Sequence, residues 1–290
     1  MKVSFLSAKN YFNPKGNNGD CILIDTDKEL VIYDCGCEEH AVRVVSYMLR
    51  HNYKKAKLIL SHNDDDHFLG IPYLVEQGVI SEIYTLLLLK YKDDLLDILD
   101  DGRRSRESVA KRIEELYDNI YSLGGPNKSF VLKDIFKDTS VAPGITIPGP
   151  DKEYSLNAVA TAIKKDKTST IDKETIVNAV STQLSVDFGL GRKLLLTGDS
   201  SFPAIEENVK LHNAIQLPHH GKLEQAEDIF AVKNNRTIYF VSDNTGSTNG
   251  GSDDLRKNHS KGYVIHNTLD GDQECAFGSF SVTNRVGTYS

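Results

Sequence analysis

The apolar run Leu58-Ile59-Leu60 leads without a break into Ser61-His62-Asn63-Asp64-Asp65-Asp66-His67. A short apolar run of this kind has strand character. A strand that ends in two imidazoles and several carboxylates is not expected to have a purely structural role. Asn63 to Asp66 alone would read as a solvated turn. Here a β-run precedes the segment, and Gly70 with a further apolar stretch follows it. In that setting it offers borderline-to-hard metal ligands at a spacing that one loop can fold around two cations.

The 290 residues suit one large domain or two small ones. With 39% hydrophobic and 26% charged residues, the balance is that of an ordinary soluble globular protein. No stretch approaches the ~18 apolar residues of a membrane helix, so no membrane partner is expected. Met1-Lys2-Val3-Ser4-Phe5-Leu6 reads as a strand and not a signal peptide, because no apolar core or small-residue cleavage site follows it. Cys21, Cys35, Cys37 and Cys275 sit within or beside apolar runs and form no CxxC pair. That is the pattern of buried free thiols in a reducing compartment, and the expected location is the cytoplasm. A net charge of −7 argues against a nucleic-acid binder that relies on a basic surface. Bound cations would offset acidic ligands locally. A basic run, Arg103-Arg104-Ser105-Arg106, is followed by Lys111 and Arg112.

Strands and turns alternate at the start: 3–6, a dense turn signal over 13–19, then strands 21–25 and 30–34, an antiparallel meander. Val42, Val45, Met48 and Leu49 recur at helical spacing before the strand 57–60. A helix over 70–77 and a strand over 80–89 are expected next. From 90 to 123, Leu95, Leu96, Leu99, Val109, Ile113, Leu116 and Ile120 mark one or two helices closed by Gly124-Gly125-Pro126. Their plain reading is a cover packed on a sheet, and the sharper one a lid or partner surface. Strands resume near 131, 145–147 and 182–188, with partly helical or loop-like stretches at 156–164 and 173–177. Helices are expected at 204–209 and 223–230. Further strands are expected at 192–196, 214–217, 238–242, 263–265 and 277–282, with a Gly/Ser/Asn loop over 243–253.

Three more strand ends carry chemistry. The apolar run 194–196 ends in Thr197-Gly198-Asp199, where a carboxylate after a Gly turn can bridge two cations; alone it would be a turn aspartate. Pro218-His219-His220-Gly221 follows another apolar run, and in a chain that already holds His62 and His67 it reads as part of the same site. Asp34, in Tyr33-Asp34-Cys35-Gly36, suits orientation of a ligand imidazole through its free N–H.

This ordered set resembles the metallo-β-lactamase fold, and within it the ComEC/Rec2-like branch. The matching elements are Gly19-Asp20-Cys21-Ile22-Leu23-Ile24, Val31-Ile32-Tyr33-Asp34-Cys35-Gly36, Leu60 through His67, residues 178–181, Leu195-Leu196-Thr197-Gly198-Asp199, Leu217-Pro218-His219-His220-Gly221, and His266-Asn267-Thr268-Leu269-Asp270-Gly271. They span nearly the whole chain except about 90–145. The resemblance implies an α/β fold, an αββα four-layer sandwich formed by one domain over 1–290 with a helical insertion at about 90–145.

Two departures sharpen it. The common HxHxDH motif here has Asp64 at its second histidine position, and no histidine lies between His67 and Asp199. The site is therefore oxygen-rich, which admits Mn²⁺ beside Zn²⁺. By the resemblance, one of two divalent metal ions, Zn or Mn, takes His62, Asp64 and Asp199. The other takes Asp66, His67, Asp199 and one of the pair His219 and His220, with His220 favoured. His219 is expected as a phosphate or proton contact, and Asp66 orients a hydroxide held between the metals. Lys222, where the branch usually has serine, stands near a substrate phosphate or is solvated. The implied activity is a phosphodiesterase or nuclease acting on nucleic acid or a small nucleotide, with a possible protein partner on the helical insertion. An acyl hydrolase of lactamase or thioesterase type, or a non-catalytic interaction module, are the alternatives.

Overall fold

The computed structural model describes residues 1–276 except 101, 103, 124–128, 166–168, 234–235, 247–250 and 260–261. The strands in chain order are β1 (Lys2–Phe5), β2 (Ile22–Asp25), β3 (Leu30–Tyr33), β4 (Ala56–Ile59), β5 (Ile80–Thr85), β6 (Val131–Asp134), β7 (Ser140–Ala142), β8 (Ile145–Gly149), β9 (Thr170–Ile171), β10 (Glu174–Thr175), β11 (Gln183–Asp187), β12 (Lys193–Leu196), β13 (Ala214–Gln216), β14 (Ile238–Val241), β15 (Val264–Asn267) and β16 (Gln273–Ala276). One seven-stranded sheet has the order β16-β1-β2-β3-β4-β5-β6, the other β15-β14-β13-β12-β11-β8-β7, and β9-β10 is a separate hairpin. The opening meander is antiparallel as expected, while β3 through β6 and β12 through β15 run parallel.

Parallel strands need crossovers, and these supply the outer layers. The helices Glu38–Arg50 and Ile71–Glu76 follow β3 and β4. Phe202–Leu211, Leu223–Val232 and Asp253–His259 follow β12, β13 and β14. Burial on both faces shows in the alternation. Leu194, Leu196, Ala214 and Phe240 belong to the core between the sheets. Leu195, Ile215, Tyr239 and Val241 pack outward on Ile205, Val209, Ile229 and Leu255 of the covering helices. Across the sheet interface Phe5 stacks on Phe240, ring centroids 4.7 Å apart and 1° from parallel. The Tyr33 hydroxyl donates to Thr182 O at 2.6 Å. This is the helix–sheet–sheet–helix sandwich that the resemblance implied.

Several local expectations are corrected. Helix Glu38–Arg50 starts at a Cys37 cap, earlier than its apolar pattern suggested, and buries His40, Ala41, Val44 and Met48. That rotation leaves Val42 and Leu49 exposed. Cys37 is only half-buried, at the start of the helix where its sulfur accepts the His40 N–H at 3.4 Å, whereas Cys21, Cys35 and Cys275 are buried; all four are free thiols. Strand 80–89 stops at Thr85 and tightens into a turn over Leu88–Tyr91. The helical segment comprises Lys92–Leu99, Arg106–Leu116 and Asp118–Ser122, and then Val131–Asp134 returns to the first sheet beside β5. Leu95, Leu99, Val109, Ile113, Leu116 and Ile120 are buried, as a covering element requires. The short strands β7, β9 and β10 and the helix Asp253–His259 had too little pattern to be expected. The closing Gly124-Gly125-Pro126, Arg103 of the basic run, part of the loop 243–253 and the strand 277–282 lie outside the described residues. Among the described residues no helix is long and apolar enough to cross a membrane.

Candidate metal centre

The marked strand ends meet at one place, at the carboxyl edges of β3, β4, β12 and β13, where open α/β sheets gather ligands. Past β4, Asp64 precedes the short helix Asp65–Phe68, which carries Asp66 and His67. Past β12, Gly198 adopts φ +53, and a Cβ there would lie 2.8 Å from the Ser61 Cβ. Glycine thus lets the Asp199 turn press against the His62 loop. Past β13, His219 and His220 are both left-handed, φ 51 and 54. That costs roughly 1–2 kcal/mol for each side chain, and it persists because the surrounding structure holds it. Thr182 N donates to Ser61 O at 2.8 Å, closing one sheet's site loop onto the other's. Asn63, buried in the same loop, donates to Leu116 O at 3.0 Å, so the helical segment braces it.

Four imidazoles turn Nε2 toward Asp199. His67 Nε2 lies 3.4 Å from Asp199 Oδ1, and those of His62, His219 and His220 lie 3.9, 3.8 and 3.9 Å from Oδ2. Asp64 Oδ2 is 3.7 Å from His62 Nε2, and Asp66 Oδ2 is 3.0 Å from His220 Nε2.

Each Nδ1 faces an acceptor. His67 Nδ1 meets Asp34 Oδ2 at 2.8 Å, and His219 Nδ1 meets Glu174 Oε2 at 2.7 Å. His220 Nδ1 meets Ser242 O at 2.9 Å and Asp20 Oδ1 at 3.1 Å. His62 Nδ1 lies 3.0 Å from Ser61 Oγ and 3.2 Å from Ser181 Oγ. Both hydroxyls spend their hydrogens elsewhere, on Asp34 Oδ2 at 2.6 Å and Asn178 O at 2.8 Å, so both accept from His62. Hydrogen therefore sits on all four Nδ1 atoms, and Nε2 is the atom presented to the centre.

Asp20, Glu174 and Ser181 were not assigned roles from sequence. Asp20 is a lone acid before a strand, and Glu174 lies in a stretch with no periodicity. Only the fold brings each beside a histidine many residues away. Lys222 Nζ is engaged by Glu174 Oε1 at 2.9 Å and Lys173 O at 2.8 Å.

The charges are strongly coupled. Burial, helped by neighbouring His67, pushes His62 down to about 3, so it is neutral. Burial opposes charge on His67 and His220 as well, but Asp199 with Asp34, or with Asp20, outweighs it and holds both well above the usual imidazole value. Burial would raise Asp199 too, yet the imidazoles of His67, His220 and His219 hold it well below the carboxylate range. Asp64, short of such partners, is pushed by burial up to about 6.

His62 Nε2, His67 Nε2 and Asp199 Oδ1 are buried without a hydrogen-bond partner. Buried polar atoms seldom go unpaired, and such a group calls for an explanation such as an ion. Ligand atoms of His62, His67 and Asp199 lie within 4.8 Å of one another, as do those of Asp66, His67 and His220. Nitrogen and carboxylate donors of this kind fit divalent cations.

Fold and site together define a metallo-β-lactamase-fold protein whose His/Asp groups could bind metal. The Metallo-beta-lactamase superfamily model matches residues 14–151, and with the fold it supports membership of that superfamily. A ribonuclease Z of Methanosarcina acetivorans is 24% identical over 115 residues, which cover 39% of this chain and only 34% of that protein. The metallo-beta-lactamase fold protein YhfI from Bacillus subtilis superposes with TM-score 0.50 at 13% identity, covering 92% of this chain and 96% of that one. A diphosphatase from the PhnP family gives TM-score 0.48 at 13% identity, covering 96% and 98%.

Proposed function

We propose that this chain is a metal-dependent hydrolase that cleaves phosphodiesters, a phosphodiesterase or nuclease of the ComEC/Rec2-like branch. The observation that carries the reading is the convergence of four Nε2 atoms with Asp64, Asp66 and Asp199 in one oxygen-rich centre. His62, Asp64 and Asp199 would hold one divalent ion, and Asp66, His67, Asp199 and His220 the other, as zinc or manganese. Such ions supply positive charge that polarises a phosphoryl oxygen and lowers the pKa of water.

The chain's own groups do the rest. Asp34, Asp20, Glu174 and the two serines keep each Nδ1 occupied, so Nε2 is the nitrogen each ring has left for the centre. Asp66, whose Oδ2 also accepts from Asn17 Nδ2 at 3.0 Å, sits at the solvent side and orients the attacking water. His219 is the most exposed of the four imidazoles, at 33%, and is the one a substrate phosphate or leaving group can touch. The partial match to a ribonuclease Z supports a phosphodiester substrate, nucleic acid or small nucleotide. Four free cysteines support a reducing compartment, the cytoplasm.

Metal-loaded protein is expected to hydrolyse bis(p-nitrophenyl) phosphate, with DNA, RNA and cyclic nucleotides identifying the natural class. Turnover of a lactam or thioester instead would make it an acyl hydrolase. Inertness toward all of these with full metal occupancy would leave an interaction module.

A further inference from the structure

We infer that Glu174 is a positioning residue that fixes the ring of His219 with Nε2 turned into the centre. The inference rests on the reading of His219 as a group that contacts substrate. The side chains of His62, His67 and His220 are 0–5% exposed, so packing backs up their Nδ1 hydrogen bonds, whereas a third of the His219 side chain is open. Packing alone does not stop that ring from turning over. Glu174 Oε2, 2.7 Å from Nδ1, does: a carboxylate can only accept, and a flipped ring would present it a carbon.

The carboxylate is itself anchored. Its side chain is 1% exposed, and a buried carboxylate persists only with its oxygens satisfied. Oε1 accepts from Lys222 Nζ at 2.9 Å and Gln225 Nε2 at 3.0 Å. Gln225 Oε1 in turn accepts the Phe202 N–H at 2.8 Å, just past the Asp199 turn. The chain leaving β10 also holds Asp199: Thr175 Oγ1 donates to Asn178 Oδ1 at 2.6 Å, and Asn178 Nδ2 lies 3.4 Å from Asp199 Oδ2. The β9-β10 hairpin and its following turn therefore grip His219 and Asp199 together. The partner of Lys222 is accordingly Glu174.

The test uses the full chain loaded with zinc. Glu174→Gln leaves one acceptor oxygen for three donors. Its kcat on bis(p-nitrophenyl) phosphate is expected to fall about 10–100-fold, with metal content and KM retained. The double variant with His219→Ala should fall no further than His219→Ala alone. Additive losses, or wild-type kcat in Glu174→Gln, would overturn the inference. A second readout is independent of turnover and of any variant's folding. Long-range ¹H–¹⁵N correlation of the wild-type imidazoles should place the His219 hydrogen on Nδ1; finding it on Nε2 would overturn the inference. If the protein proves inert on phosphodiesters while that spectrum holds, the functional reading fails and the positioning role stands.

Discussion

Asp34 Oδ2 lies 2.8 Å from His67 Nδ1, and the same carboxylate accepts the Ser61 hydroxyl at 2.6 Å and, through Oδ1, the Ser61 N–H at 2.7 Å. Asp34 follows β3 and Ser61 follows β4, its parallel neighbour. One fully buried acid thus sets both the ring of His67 and the path of the loop that carries His62.

Asp34→Asn keeps the shape but replaces one acceptor by a donor. Metal affinity measured by chelator competition is expected to drop about 10–100-fold. Asp34→Ala additionally strands three buried donors and should cost about 3–5 kcal/mol in denaturant unfolding of the metal-free protein. Equal stability of the alanine variant and the wild type would contradict the assigned network.

Asp199→Ala removes the carboxylate that all four Nε2 atoms approach. Metal content by elemental analysis should fall below wild type, and hydrolysis should drop by more than about 100-fold, beyond what an outer-sphere change produces. Unchanged metal content and turnover would remove Asp199 from the centre.

The site was legible where local pattern and chemistry coincide. His62 through His67, Asp199 and His219-His220 each follow an apolar strand, so the strand end announced where the side chains would go. Asp34 was legible for the same reason. Glu174 was not: its pairing with His219 spans 45 residues and arises from a two-residue strand without periodicity. Asp20 pairs with His220 across 200 residues, and only the face-to-face packing of the two sheets brings them together. The wrongly read face of helix Glu38–Arg50 has a similar origin. Periodicity gave the helix, but the Cys37 cap and the sheet beneath it decided which side was buried.

The stack of Phe5 on Phe240 joins the two sheets. Phe5→Ala is expected to destabilise the fold by about 3–5 kcal/mol, the usual range for a buried aromatic truncation. Metal stoichiometry per folded molecule should be unchanged, because the candidate ligands are positioned by hydrogen bonds that do not involve the Phe5 side chain. Loss of metal in the folded fraction would show that the centre depends on the sheet spacing itself.

Protons and cations compete for the same nitrogens, and this gives a pH signature with a definite sign. In the metal-free chain His67 and His220 are held above the usual imidazole value of 6.5, so their contribution to stability is complete below 6.5 and is lost as pH rises through their raised values. Asp199 is held below the usual 3.8, so its contribution is present above 3.8 and is lost as pH falls through its depressed value. Asp64, pushed by burial up to about 6, adds to the decline, since ionising it opposes folding as pH climbs from 3.8 through 6. His62, kept neutral by burial down to about 3, works the other way and opposes folding as pH falls below 6.5, so the signature of His67 and His220 is a loss of metal-free stability as pH rises above 6.5. Cations need the unprotonated nitrogens, so the melting-temperature gain from zinc should grow with pH, and binding should release protons, seen as a buffer-dependent heat. Melting curves with chelator and with zinc across about pH 4 to about pH 8 test both halves. A zinc shift of constant size, or a metal-free melting temperature that rises through the alkaline half, would show that these histidines do not face the carboxylates as ligands-in-waiting.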